Sequence, residues 1–136
     1  MPTRPAFSPD WREGRYFDRW MFVHFMSGVA GGFGNLFFGF TALGALGVAL
    51  TVMVVWELGE ALLGVREAWS NRIIDIAVGL AGAALALFVA ARLTANGQRV
   101  AFASTLAVAV ASSVAGWIAY RRRRDLTVGT ERSAPH

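Results

Sequence analysis

The chain contains no cysteine and no lysine. The first absence excludes disulfides and thiolate chemistry, although it does not identify a redox compartment. The second means that all 13 basic residues are arginine. Charge of either sign is sparse at 16% of residues, and three long stretches have none. Residues 20–56, 76–91 and 100–120 hold 37, 16 and 21 consecutive positions without Asp, Glu, Lys or Arg. A water-soluble bundle would show a polar stripe recurring every 3.6 residues, and these blocks have no such stripe. A soluble globule is therefore excluded. No basic face is interleaved with base-reading side chains, so the net charge of +4 suits an anionic membrane surface and not nucleic acid. A cleavable signal peptide is not expected. The first 19 residues are long for an n-region and mix Asp10, Glu13 and Asp18 with four arginines. The first apolar segment is expected to remain as a membrane anchor.

Apolar residues make up 55% of the 136 positions, and a membrane span needs about 20 of them in sequence. The expected fold is all-α, an integral membrane bundle of four transmembrane helices forming one domain. The 37-residue block cannot be a single helix, because it would reach roughly 55 Å across a hydrocarbon core of about 30 Å. It must fold back as a hairpin, with the turn in "GFTALG" (39–44) or, as the rival, "GGFGN" (31–35). The expected organisation is an N-terminal cytoplasmic or interfacial segment over 1–16, with an irregular proline-bearing start. A transmembrane domain follows over 17–120, with helices at about 17–38, 43–64, 72–93 and 99–120. A basic, disordered tail covers 121–136, with Arg121 to Arg124 stopping the last helix. Four spans put both termini on one side. That side collects eleven arginines and the other only Arg92 and Arg99, so both termini are expected in the cytoplasm and the chain in the cytoplasmic (inner) membrane. Trp20, Trp69, Trp117, Tyr16 and Tyr120 then fall near the inner interface. Small residues at helical spacing suggest packing faces: Ser27, Gly28, Gly31 and Asn35; Gly79, Gly82 and Ala86; Thr105, Ala109, Ser112 and Gly116.

The remaining charge is concentrated in "WELGEALLGVREAWSNRIIDIAVG" (56–79). On the expected helices, Glu60 lies about 5 Å and Glu57 about 9 Å inside the end of helix 2. Asp75 lies about 5 Å inside helix 3, and His24 about 10 Å inside helix 1. Glu57 and Glu60 are three residues apart, as are Arg72 and Asp75, so each pair shares a helix face. Asp18, Arg19, His24, Glu57, Glu60, Arg72 and Asp75 thus come from three helices at similar depth on the cytoplasmic side. Charges facing lipid cost several kcal/mol, so they turn inward and pair. One polar cluster between helices 1, 2 and 3 is expected. In the plain structural reading, Glu57 and Asp75 are counter-ions to Arg72 and Arg19, His24 is a packing residue, and Glu60, Arg66 and Glu67 are interfacial and solvated. In the functional reading, His24, Glu57 and Asp75 are acid/base groups, and Arg19, Arg72 and Glu60 bind a ligand or anion. One histidine with three carboxylates is a hard-metal donor set, but no tight spacing such as HExxH accompanies it, and no metal is assigned from the sequence. A lone histidine in "MFVHFMSG" does not make a tetrapyrrole site either.

These residues also fit a known pattern. "FDRWMFVHF" (Asp18, Arg19, His24, Phe25), "WELGE" (Glu57, Glu60) and "NRIIDIAVGLAG" (Arg72, Asp75, Gly79, Gly82) resemble the motifs of VanZ-like membrane proteins and the related YjdF-like group, over about residues 17–90. Arg19 stands where lysine is usual, Glu60 where glutamine is frequent, and Gly79 where asparagine is frequent. The resemblance implies a shared polar site and a role in binding or processing a lipid or envelope precursor. It names no cofactor. The alternatives are a non-catalytic accessory subunit, partnered by other membrane subunits, and a transporter component. The acids cluster near one face with nothing comparable at the other, so a transbilayer path would need oligomerisation.

Overall fold

In the computed structural model the described residues are Trp11, 18–63, Val65 and 68–132, the last ten as backbone alone. The expectations for residues 1–10, 12–17 and 133–136, and for Arg66 and Glu67, lie outside them. The described chain is all-helical, with no strand: α1 (Trp20–Gly34), α2 (Ala42–Leu62), α3 (Trp69–Ala90) and α4 (Ala95–Arg132). Helices α2 and α3, and Ala95–Arg122 within α4, are long and apolar enough to cross a membrane. The first helix is shorter than the expected 17–38, because the chain tightens into a 3₁₀ turn at Asn35–Phe37. Arg121 to Arg124 do not stop the last helix. Arginine is a good helix former, and the backbone stays helical to Arg132 where a disordered tail is expected.

The α1–α2 hairpin closes in a short polar device. The Asn35 side chain donates to the Phe40 carbonyl at 3.0 Å and accepts from the Phe40 N–H at 3.2 Å. Gly39 sits at φ +67°, a left-handed conformation open to glycine at little cost, and its N–H reaches the Asn35 carbonyl. Thr41 caps α2, its hydroxyl accepting from Gly44 N–H at 3.2 Å. The α3–α4 hairpin is tied by Gln98, which donates to the Ala90 carbonyl at 2.9 Å, and by Thr94, which accepts from Gly97 N–H.

Helices α1 and α3 run parallel at backbone contact. The facing pairs His24–Asp75, Gly28–Gly79 and Gly32–Ala83 are each separated by the same 51 positions, so the helices stay in register over two turns. A Cβ on Gly28 would strike the Gly79 carbonyl, and one on Gly82 the Phe25 carbonyl. One on Gly32 would lie 2.6 Å from the Ala83 oxygen. Small residues are what allow this approach. Gly32, and not Gly31, supplies the contact on α1, since nothing lies within 4 Å of a Cβ at Gly31. Helix α2 lays Met53 against Gly79 from the other side. Helix α4 packs antiparallel to α1, with Phe102 beside Gly34 at one end and Gly116 beneath Trp20 and Trp11 at the other.

The polarity of the bundle is inverted relative to a soluble protein. Its largest fully buried side chains are Asn71 and Asp75, at 0% and 1% exposure, while Leu43, Leu62, Leu63, Trp69 and Phe38 project outward. An apolar core does exist between α1, α3 and α4, built on Val29, Phe33 and Ala86 with Phe25, Val89 and Phe102 around it. The polar centre lies at the opposite end of the α1–α3 seam.

Candidate functional site

Three helices place the site, each for a local reason. Helix α1 begins just after Asp18, whose Oδ1 accepts from the N–H groups of Trp20 (2.9 Å) and Met21 (3.4 Å), two of the donors a helix start leaves without internal partners. His24 follows about one turn in, roughly 6 Å from that end. Helix α3 starts beside it, and Asp75 is roughly 9 Å in. Helix α2 arrives at the same end from the other direction, with Glu57 roughly 8 Å before its last residue. His24, Glu57 and Asp75 therefore meet at nearly one depth.

The three side chains are buried. His24 Nε2 is 3.6 Å from Glu57 Oε1 and 4.0 Å from Asp75 Oδ2. One ligating atom of each residue lies within 4.8 Å of the other two. Both gaps exceed hydrogen-bond length. Two ionised carboxylates no more than 4.8 Å apart repel by at least about 3.5 kcal/mol at an effective dielectric constant of 20. Their closeness is favourable when a proton or a cation is shared between them.

Asn71 is a member of the site that the sequence does not single out. Its side-chain nitrogen donates to Asp75 Oδ2 at 3.0 Å and to Asp18 Oδ2 at 3.3 Å. One amide thus bridges two carboxylates, ties the start of α1 to the start of α3 and fixes the Asp75 carboxylate. The one signal for it in the sequence is its place four residues before Asp75, on the same helix face.

The other expected site residues lie around this centre. Arg72 is half-buried, donates from Nη2 to the Val65 carbonyl at 3.1 Å, and stands 5.9 Å from the Trp69 ring centroid. Arg19 is exposed, 5.9 Å from the Trp11 ring centroid. Glu60 accepts from Trp56 Nε1 at 2.9 Å on the outer side of α2. The centre that the three helices assemble is one imidazole, three carboxylates and one amide, and the two arginines lie beside aromatic rings at the same end of the bundle.

Chemically, the arrangement can bind a proton or a cation between its carboxylates, and His24 can accept or donate a proton there. No family model matches the chain, and neither does any curated protein or solved structure.

Proposed function

We propose that the chain is a four-span, VanZ-like protein of the cytoplasmic (inner) membrane. It takes the polar group of a lipid or envelope precursor into the site between α1, α2 and α3 and exchanges protons with it through His24, Glu57 and Asp75. The observation that carries this reading is the convergence of a histidine and two carboxylates from three different helices, all buried, within 4.8 Å. Burying such groups among apolar helices is costly, and intramembrane ionisable groups of this kind mark ligand or proton sites. The resemblance to VanZ-like motifs falls on the same residues. Arg19 and Arg72, beside Trp11 and Trp69, form a cationic aromatic rim suited to holding a phosphate or carboxylate at the headgroup level.

The four-span topology draws on two further points. Helix α1 contributes about 22 Å, and the 3₁₀ turn after it adds about 6 Å, close to the thickness of the hydrocarbon core. The eleven-to-two distribution of arginines favours cytoplasmic termini.

Native mass spectrometry of the protein gently extracted from its own membrane, beside His24→Ala, tests the function. A lipid-class molecule retained by the native chain and lost from the variant is the expected result. Retention of no small ligand by the native chain, or equal retention by both, refutes it. An accessory-subunit role is favoured by α2, which buries only Met53 and Glu57 and leaves the rest of its surface for lipid or another helix. In that case a partner protein accompanies both forms equally.

A further inference from the structure

We infer that His24, Glu57 and Asp75 form a binding site for a divalent first-row metal ion, held by His24 Nε2 and one oxygen from each carboxylate. The inference concerns the same side chains as the proposed function but follows from their geometry and does not rest on it; the atoms that hold an ion do not exchange protons while it is bound.

Spacing is the first argument. With each ligating atom within 4.8 Å of the other two, their common centre lies no more than about 2.8 Å from any of them. Zinc and similar ions bind histidine nitrogen and carboxylate oxygen at about 2.0–2.2 Å. A contraction of well under 1 Å per side chain closes the site around an ion. The separations of 3.6 and 4.0 Å from His24 are too long for hydrogen bonds, yet close to the spacing between neighbouring ligands on one ion.

Charge is the second argument. Two carboxylates and a neutral imidazole around a divalent cation form a complex with no net charge, the cheapest state for such a group inside a bilayer. The imidazole ligand favours zinc or iron(II) over magnesium and calcium, and the absence of cysteine argues against copper(I).

Orientation is the third. His24 is buried and aims Nε2 between the two carboxylates. The Asn71 amide donates to Asp75 Oδ2, the oxygen nearest His24 Nε2, and so fixes the carboxylate as outer-shell partners of metal ligands do, leaving it further lone pairs for a metal. Gly28 and Gly79 keep α1 and α3 at a fixed separation. Three protein ligands leave at least one coordination position for water or a substrate oxygen, the pattern of a catalytic and not a structural site.

The test uses the full chain in mild detergent, purified without chelator. Elemental analysis is combined with titration by cobalt(II), whose visible absorption reports its coordination, and by zinc(II) in competition. The expected result is one bound metal per chain, with Glu57→Gln and Asp75→Asn each weakening binding by at least about tenfold, while Arg99→Gln at the other end of the bundle leaves it unchanged. Variants are scored only where circular dichroism and gel filtration show a folded monodisperse protein. The native-chain titration decides the matter if none is. Absence of cobalt or zinc binding by the native chain, or binding unaffected in a folded Glu57→Gln or Asp75→Asn variant, overturns the inference. A metal-free native chain that still carries a lipid overturns this inference and leaves the proposed function standing. A metal-loaded chain without lipid does the reverse.

Discussion

Two adjacent glycines of α1 offer a controlled test of the seam that positions the site. Gly31→Ala and Gly32→Ala introduce the same methyl group into the same helix. Both replace glycine by the best helix former, a gain of about 0.5–1 kcal/mol that is common to the two and cancels in their difference. Only the surroundings differ. A Cβ at Gly31 meets nothing within 4 Å. A Cβ at Gly32 lies 2.6 Å from the Ala83 oxygen, 2.6 Å from the Ala86 Cβ and 3.2 Å from the Ala83 Cα. Ordinary contact begins at 3.4 Å, so α1 and α3 must part by 0.8 Å at this point (3.4 less 2.6), and backbone atoms cannot rotate away as a side chain can. Overpacking of this kind costs about 1–3 kcal/mol. Gly31→Ala is therefore expected to be neutral or stabilising, and Gly32→Ala to be less stable than it by about 1–3 kcal/mol. Reversible unfolding by SDS in mixed micelles, followed by circular dichroism, measures the difference directly. Equal transition midpoints for the two variants would show that α1 and α3 do not meet at Gly32. The parallel seam would then be wrong.

Two further expectations follow from the same packing. A double-mutant cycle on Asn71→Ala and Asp75→Ala should give a coupling energy of about 0.5–3 kcal/mol in the same assay, because each side chain satisfies the other in a buried setting, and strict additivity would deny their bond. Reporter fusions at Met1 and at His136 should both map to the cytoplasmic side, whereas opposite sides would exclude four spans.

Several features are legible in the amino-acid sequence alone. Long runs without charge can only be stable in lipid, so the helical membrane character follows from composition and length. The 37-residue block exceeds the bilayer and must contain a turn, and the chain does turn between Phe38 and Thr41. Polar groups in such a chain must also find one another, which makes His24, Glu57 and Asp75 candidates for a common site. Rotation of each helix about its axis is not legible. Adjacent helix residues point about 100° apart, and a helix that is apolar all round carries no stripe to say which side faces inward. Hence Gly31 and Gly32 are indistinguishable in the sequence, although one is open and the other is in backbone contact. The same ambiguity hides Asn71, whose neighbour Arg72 is the more conspicuous residue. A rotation of one position sends Asn71 between Asp18 and Asp75, and Arg72 to the Val65 carbonyl beside Trp69. Length and polarity set which groups share a depth in the membrane. Only the close approach of α1 and α3, fixed by glycines on both sides of the seam, decided which of them touch.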